Sequence, residues 1–205
     1  MFDVYGDINS GNCYKIKLLL SLPDIEHRWI HVNILNGESR TPNYLKLNPN
    51  GKIPVLLTPE RRALFESNAI LHYLAAGTAF SPTAQFESAE VLQWQFFEQY
   101  SHEPYIATSR TIVRYLNSPT GRLGELDAKK SGGNAALKVM NEHLKERDYF
   151  VGERYSIADI SLYAYTHVAE EGGFSLAQYS NINTWMKRIF DHPRHVTMQD
   201  FPPPN

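Results

Sequence analysis

The local pattern of the chain changes near residue 80, and this change constrains the fold more than any other feature. Before it, short β-like runs alternate with helical ones. Strands are expected at residues 2–5, 28–32, 55–58 and 61–64, and helices at residues 13–21 and 64–76. The order β-α-β followed by β-β-α is typical of a thioredoxin-like α/β unit.

The second part of the chain shows helical periodicity instead. One helical face is expected to carry Val91, Trp94, Gln95, Glu98 and His102, and the apolar side to carry Leu92, Phe96, Phe97 and Tyr100. We therefore predict a thioredoxin-like domain at residues 1–77 and an all-α domain at residues 84–205. Residues 78–83, which include Pro82 and follow Gly77, are expected to link them.

Composition limits the possible functions. The 20 Lys and Arg residues balance 22 Asp and Glu residues, which argues against a nucleic-acid or membrane-surface partner. A single cysteine excludes an intrachain disulfide framework and fits a reducing compartment. No signal peptide is expected at the N-terminus, and no apolar run approaches the ~20 residues of a membrane span. These features favour a cytoplasmic location.

Motifs for other chemistries are missing from the sequence. His192 and His195 have no further ligand cluster near them, so we read this segment as a helix end and expect no metal. The sequence contains no GxGxxG, P-loop or CxxC pattern. Nucleotide binding and dithiol redox chemistry therefore have no support.

Residues 48–56 and 65–71 carry the strongest functional signal. Asn-Pro and Asn-Gly turn dipeptides lead into Ile53-Pro54 and a short apolar run. A cis Ile53–Pro54 bond would aim the backbone N–H and C=O of Ile53 at an extended peptide. Glu66-Ser67 then opens a helix, whose backbone donors and hydroxyl suit a carboxylate. Together they predict a site for a small acidic peptide.

These motifs resemble the cytosolic glutathione S-transferase superfamily, in particular bacterial theta-, nu- and beta-like members. The similarity extends over the whole chain, from the strand at Val4-Tyr5 to Ser156-Ile157-Ala158-Asp159. The resemblance implies that Ile53 and Pro54 bind the cysteinyl backbone of glutathione. It also implies that Glu66 and Ser67 hold the γ-glutamyl group, with glutathione as co-substrate.

Thiol activation is expected at the first strand-to-helix turn, just before Cys13. A hydroxyl hydrogen bond from Ser10 and the positive end of the helix dipole would both favour a bound thiolate. Lowering a thiol pKa of ~8.5 by about two units needs ~2.7 kcal/mol. One charge-assisted hydrogen bond of ~1.5–3 kcal/mol plus a dipole contribution of ~0.3–1 kcal/mol covers this. The alternative is that Ser10 only caps the helix.

The resemblance ranks the candidates for thiol activation. Ser10 aligns with the thiolate-stabilising serine of theta-like members, Asn12 with an asparagine of nu-like members, and Cys13 lies near the cysteine of beta- and omega-like members. Tyr5 comes last, because it is placed on the strand. In the first helical turn Cys13 could form a mixed disulfide with glutathione, but the alternative is a half-buried structural thiol.

Further contacts are predicted on both domains. Lys52 and Arg40 could pair with the glycyl carboxylate, or could be solvated loop charges. Thr41-Pro42 predicts a short capped helix.

The second-substrate pocket is expected to involve His102, Tyr105 and Arg110, with Thr108, Ser109 and Arg114 nearby. The alternative is a solvated helical face, with a kink at Pro104.

Ser156-Ile157-Ala158-Asp159 predicts a capping box with a role in folding, not in chemistry.

The leading function is transfer of the glutathione thiolate to small electrophiles, as in detoxification, by a homodimer. The alternatives are glutathione-dependent peroxide or disulfide reduction at the same site and a non-catalytic binding module of the same fold.

Overall fold

The computed structural model describes residues 1–116 and 120–200. The described chain divides into two compact units. The first consists of residues 1–78 and 193–200, and the second of residues 79–192 without the gap at 117–119. The predicted fold class is confirmed, since a mixed sheet with helices is followed by an all-helical unit.

The first unit is built on a four-stranded sheet in the order β2-β1-β3-β4. Its strands are β1 (Phe2–Gly6), β2 (His27–His31), β3 (Val55–Leu57) and β4 (Ala63–Phe65). β1 runs parallel to β2 and antiparallel to β3, and β3 pairs antiparallel with β4. All three residues of β3 are buried, as expected for a central strand covered on both faces.

Three helices complete this unit: α1 (Gly11–Ser21), α2 (Pro42–Leu45) and α3 (Ser67–Ala75). The predicted short helix after Thr41 is confirmed, because Thr41 caps α2 and Pro42 stands in its first turn. The prediction that the last helix begins at residue 64 is wrong. The segment up to Phe65 is held in strand β4 by its pairing with β3, so the helix begins only at Ser67.

The C-terminal segment of residues 193–200 lies against α1. The Tyr14 hydroxyl donates to the Val196 carbonyl oxygen at 2.8 Å, and Ser21 Oγ donates to the Arg194 carbonyl oxygen at 3.0 Å. Contacts therefore group this segment with the first unit, whereas the sequence assigned it to the helical domain. The domain ranges 1–77 and 84–205 stay a prediction, and residues 201–205 lie outside the described chain.

The second unit contains five α-helices among the residues that the structure describes. They are α4 (Gln85–Phe97), α5 (Glu103–Arg114), α6 (Leu123–His143), α7 (Ile157–Thr166) and α8 (Ser180–Phe190). A π-helical turn, Glu98–His102, joins α4 to α5, and Pro104 follows in the first turn of α5. Proline is tolerated there because its missing N–H has no helical acceptor to lose.

Most of the predicted apolar side of α4 is exposed to solvent. Leu92, Phe96 and Tyr100 are exposed, whereas the face that includes Gln95 and His102 is buried. The buried polar groups have partners in α7, which removes the cost of burying them. Gln95 Nε2 donates to Ser161 Oγ at 3.3 Å, for example.

The predicted capping box is confirmed at the start of α7. The Asp159 carboxylate is fully buried and accepts hydrogen bonds from Ser156 N (2.9 Å), Ser156 Oγ (3.0 Å), Phe150 N (3.0 Å) and Trp185 Nε1 (2.9 Å). Burial raises the pKa of Asp159 to about 6, although all four donors favour the ionised form. This carboxylate joins α7, α8 and the segment before α7.

Asp159→Asn tests this role. Each oxygen of the acid keeps a lone pair that can accept, even when the group is protonated, whereas the amide NH2 group carries two hydrogens, accepts nothing and faces donors. We expect the free energy of unfolding to fall by about 2–5 kcal/mol near pH 5, measured by urea titration. The exposed residue Asp127, changed to Asn in the same way, should alter stability by no more than about 0.5 kcal/mol.

The difference in free energy of unfolding between the wild type and Asp159→Asn should change with pH in a definite direction. The folded-state pKa of about 6 exceeds the ordinary value of 3.8, so between these values the folded chain holds a proton that the unfolded chain releases. The stability from Asp159 is present below about pH 4 and lost as pH rises through about 6. Relative to Asp159→Asn, wild-type stability should fall by ~3 kcal/mol from about pH 4 to 7. A pH-independent difference would contradict the raised pKa.

Candidate functional site

The turn between β1 and α1 positions Ser10 as the N-cap of α1. Ser10 Oγ accepts a hydrogen bond from Cys13 N at 3.4 Å, and Ser10 N donates to the Asp7 carbonyl oxygen at 3.1 Å. The capping interpretation is therefore correct. It does not exclude thiol activation, because the cap uses a lone pair of the hydroxyl and not its proton.

Cys13 is fully buried in the first turn of α1. A Cβ on Gly6 would lie 2.7 Å from Cys13 Sγ, so the strand approaches the sulfur as closely as glycine allows. Burial raises the pKa of the Cys13 thiol to about 12. Its burial and raised pKa support the structural alternative, and a catalytic role for Cys13 stays a prediction.

Tyr5 has a packing role in the sheet. Its ring meets the Tyr44 ring edge-on at a centroid distance of 6.4 Å. Both rings belong to a core cluster with Val32 and Val55. The low rank of Tyr5 as a thiol activator fits this position.

Asn12, Ser67 and Lys15 form a chain of hydrogen bonds between the N-termini of α1 and α3. Ser67 Oγ donates to Asn12 Oδ1 at 3.1 Å, and Lys15 Nζ donates to Ser67 Oγ at 3.3 Å. Lys15 is fully buried and Ser67 is 6% exposed. The chain brings the predicted γ-glutamyl residue Ser67 next to the turn that carries Ser10 and Asn12.

The Ile53–Pro54 bond is cis, as the resemblance implied. The loop before it is anchored at the Lys52 carbonyl oxygen, which accepts hydrogen bonds from Tyr44 OH and Asn48 Nδ2, both at 2.8 Å. Pro54 is buried and Ile53 is half-buried, directly before β3. The backbone of the predicted peptide-binding residues is thus held by side chains of α2 and the turn after it.

The predicted carboxylate-binding cations lie at the edge of this loop. The Lys52 side chain is exposed. Arg40 Nη1 donates to the Asn50 carbonyl oxygen at 3.0 Å, and its guanidinium packs on Gly51, where φ is +63°. Arg40 therefore has a structural contact in the loop, while both cations remain at the surface.

Glu66 has an unusual backbone at the start of α3. Its φ of 70° is positive although it is not glycine, and its side chain does not cap the helix. Such conformations cost about 1–3 kcal/mol and are typical of functional positions. The strained backbone leaves the exposed Glu66 carboxylate beside Ser67.

The three second-substrate candidates on the helical unit differ in how deeply their side chains are buried. His102 is fully buried, and its Nε2 lies 3.0 Å from Thr166 Oγ1. Because Thr166 Oγ1 donates to the Leu162 carbonyl oxygen, His102 Nε2 is the donor to Thr166. These bonds hold His102 inside the unit, and its role in a substrate pocket stays a prediction.

Arg110 is buried as well. Its Nε donates to Glu171 Oε2 at 2.8 Å in a salt bridge. The charge of Arg110 is paired inside the helical unit, and its role in a substrate pocket stays a prediction. Tyr105 differs, since it is half-buried and lines an open cavity of ≈ 270 Å³ between the π-helical turn and α6.

The described ranges contain neither a metal-binding cluster nor a membrane-spanning helix. Within residues 1–116 and 120–200, no group of three His, Cys, Asp or Glu side chains is arranged to hold a metal ion. In the same ranges, no helix is both long and apolar enough to cross a membrane.

Family models match both parts of the chain. The model of the glutathione S-transferase N-terminal domain matches residues 9–76, and that of the glutathione S-transferase C-terminal domain matches residues 94–193. The chain belongs to the glutathione S-transferase superfamily.

Known proteins similar to this superfamily member carry different functional names. A glutathione S-transferase from Pseudomonas fluorescens with a crystal structure is 54% identical, covers 97% of this chain and 99% of its own, and gives a TM-score of 0.96. The disulfide-bond oxidoreductase YfcG of Escherichia coli is 30% identical over 94% of this chain and 92% of its own length. At 23% identity, a Phanerochaete chrysosporium glutathione transferase with oxidised glutathione shares the fold, with a TM-score of 0.85 over 94% of this chain and 92% of that one.

Sequence reasoning missed Lys15 in this member of the superfamily. The available signal was a lysine within the run Cys13-Tyr14-Lys15-Ile16, followed by three leucines in α1. A charged residue between apolar residues on a helix is expected either to reach solvent or to have a specific polar partner. Lys15 has such a partner in Ser67.

The burial of Cys13 predicts an inert thiol. In the native protein at about pH 8, iodoacetamide should modify Cys13 at least a hundredfold more slowly than in the urea-unfolded chain, because only the exposed thiolate reacts. Since Cys13 is the one cysteine of the sequence, mass spectrometry of the intact chain reports its modification directly. Rapid native labelling, or a glutathione adduct on Cys13, would contradict this assignment.

Proposed function

We propose that this superfamily member is a glutathione transferase that conjugates the glutathione thiolate to small electrophiles. The observation that carries the proposal is the hydrogen bond from Ser67 Oγ to Asn12 Oδ1, at 3.1 Å. It joins the N-terminus of α3, which suits an amino-acid carboxylate, to the N-terminus of α1, which suits a thiolate. One small peptide can occupy both places, and glutathione has both groups.

The proposed binding roles follow the chemistry of each residue. The Glu66 carboxylate pairs with the γ-glutamyl amine, and the N–H and hydroxyl of Ser67 hold the γ-glutamyl carboxylate. The backbone of Ile53, beside Pro54, pairs with the cysteinyl backbone. Arg40 and Lys52 stand close enough to the loop surface to attract the glycyl carboxylate. A relative that shares the fold at 23% identity has been crystallised with oxidised glutathione, which is compatible with a glutathione ligand here.

Thiol activation falls to Ser10. Its hydroxyl proton is not used by the helix cap. The hydroxyl bonds the Cys13 thiol, from which the proton can turn to the glutathione thiolate, and the eleven-residue helix α1 adds its dipole. Asn12 is the second candidate, on the same turn. The reacting thiol comes from glutathione, because Cys13 is buried with a pKa raised to about 12.

In the proposed reaction, the thiolate sulfur forms a bond to an electrophilic carbon. The displaced leaving group takes the electron pair of the broken bond, or a conjugated acceptor takes the pair and then a proton. Tyr105 remains the proposed contact for the electrophile, since His102 and Arg110 have internal partners. A detoxifying role in the cytoplasm belongs to the same proposal.

Disulfide reduction is the second candidate, favoured by the similarity to the disulfide-bond oxidoreductase of Escherichia coli. One glutathione thiolate would attack a substrate disulfide, forming a mixed disulfide and releasing a substrate thiolate. A second glutathione thiolate would then release the other substrate thiolate and yield oxidised glutathione. No protein thiol is required, which is compatible with the buried Cys13. Rates with an aryl halide and with a small disulfide would distinguish the two enzymes.

Glutathione binding tests the proposed function most directly. We expect saturable binding by calorimetry with a dissociation constant at or below about 1 mM, the upper end of usual enzyme–substrate constants. Glu66→Gln should weaken binding about ten- to a hundredfold, because the amine loses its anionic partner. Binding without turnover of either substrate would favour the non-catalytic module, and no binding at millimolar glutathione would exclude both enzymatic proposals.

The assignment of Ser10 predicts a change in the bound thiol. Ser10→Ala should raise the pKa of bound glutathione by about one to two units, since ~1.5–3 kcal/mol of thiolate stabilisation is lost. Ser10→Thr keeps a hydroxyl and should keep the pKa, and Ser21→Ala, at the other end of α1, serves as the matched control. Ultraviolet absorbance against pH follows the thiolate. An unchanged titration in Ser10→Ala with a shift in Asn12→Ala would transfer the role to Asn12.

We further propose a homodimer that buries the exposed apolar stripe of α4 and the π-helical turn after it. Leu92, Phe96 and Tyr100 lie one helical turn apart and are 44%, 60% and 77% exposed. Val139, on α6, is also exposed. A contiguous apolar surface of this kind is typical of a protein–protein interface.

The stripe predicts which substitution breaks the dimer. Sedimentation of the wild type should give about twice the chain mass of 23.5 kDa. Phe96→Glu should give the monomer, because it places a charge in an apolar interface. Phe190→Glu is the matched control, since Phe190 is 56% exposed on α8, away from the stripe, and the dimer should persist. A monomeric wild type, or two dimeric variants, would refute the assignment.

A further inference from the structure

Lys15 is a charged side chain in a fully buried position. Its neighbours in α1, Cys13, Tyr14 and Ile16, are equally buried. Removing an ammonium group from water is costly unless it has polar partners. Lys15 Nζ donates to Ser67 Oγ at 3.3 Å, which places the cation directly behind the first residue of α3.

Two sources of positive charge therefore coincide at Ser67. The N-terminus of α3 carries the positive end of the helix dipole, and Glu66 supplies no side-chain cap to its N–H groups. The Lys15 ammonium adds a full charge from the protein side. Because this charge lies in a region of low dielectric constant, its attraction for an anion at Ser67 is stronger than at the surface.

The direction of the hydrogen bonds adds a second effect. Lys15 donates to a lone pair of Ser67 Oγ, so it fixes the oxygen without using the hydroxyl proton. That proton is donated to Asn12 Oδ1 at 3.1 Å. Rotation about the C–O bond can turn it from Asn12 toward an incoming carboxylate while Lys15 still holds the oxygen.

We propose that Lys15 is a positioning residue that makes this site selective for a ligand with a free α-carboxylate at its γ-glutamyl end. This inference rests on the proposed function, since it concerns the glutathione site. Lys15 acts through Ser67 and through its charge. A ligand whose α-carboxylate is replaced by a neutral carboxamide gains nothing from the ammonium.

The test compares two ligands on four proteins by calorimetry. The ligands are glutathione and its γ-glutamyl α-carboxamide analogue, and the proteins are the wild type, Lys15→Met, Lys15→Arg and Lys17→Met. The wild type should prefer glutathione roughly ten- to a hundredfold. In Lys15→Met, which keeps an unbranched chain but no charge, the preference should shrink to about threefold or less. Lys15→Arg should restore most of it.

Lys17→Met is the matched control, because Lys17 lies two residues further along α1 and has Asp200 near its charge. Its preference should equal that of the wild type. Circular dichroism and thermal unfolding check the fold of each variant. Should Lys15→Met fail to fold, Lys15→Gln, which keeps a donor for Ser67 Oγ, makes the same comparison.

The possible results separate this inference from the proposed function. If Lys15→Met weakens both ligands equally and the preference is retained, Lys15 is only structural and the inference is overturned, while the transferase proposal stands. If the wild type binds glutathione but prefers it to the carboxamide less than about threefold, the inference is again overturned. If the wild type binds neither ligand, the proposed function itself fails.

Discussion

The first unit depends on the hydrogen bonds that join Asn12, Ser67 and Lys15. Lys15 donates to Ser67 Oγ, which donates to Asn12 Oδ1, so the start of α3 is fixed to the start of α1. Both helix N-termini then present positive ends to one region, and an anion can be shared between them. The turn that carries Ser10 and the residue proposed to hold the γ-glutamyl group are adjacent because of these bonds, and the proposed chemistry needs that adjacency.

The helical unit has a comparable centre in the Asp159 carboxylate. It receives four hydrogen bonds, from Ser156, Phe150 and Trp185, and burial raises its pKa to about 6. Burying such a group is tolerated because all four donors converge on it. Lys15 differs from Asp159 because it is a hydrogen-bond donor and a cation, and it donates to Ser67, the first residue of α3. Asp159 is surrounded by its own donors, whereas Lys15 lies behind a helix end that can bind an anion.

Local signals made much of the fold predictable. Ser10, Thr41 and Ser156 were recognisable as helix caps because capping involves residues only two or three positions apart. The helical periodicity of α4 was also readable, but its orientation was not. The periodicity shows that α4 has two different faces. Which face is buried depends on the helices that pack against it. Gln95 finds Ser161 on α7, while Phe96 stays exposed.

From the sequence alone, the superfamily, the thioredoxin-like and helical parts and the glutathione motifs around Pro54 and Ser67 could be determined, because each depends on residues close together in the chain. Tertiary structure decided the state of the side chains. It buried Cys13 against Gly6 and so kept its thiol neutral, and it placed the Lys15 ammonium behind Ser67. Burial and desolvation depend on every element that packs around a group, and residues distant in sequence supply most of them.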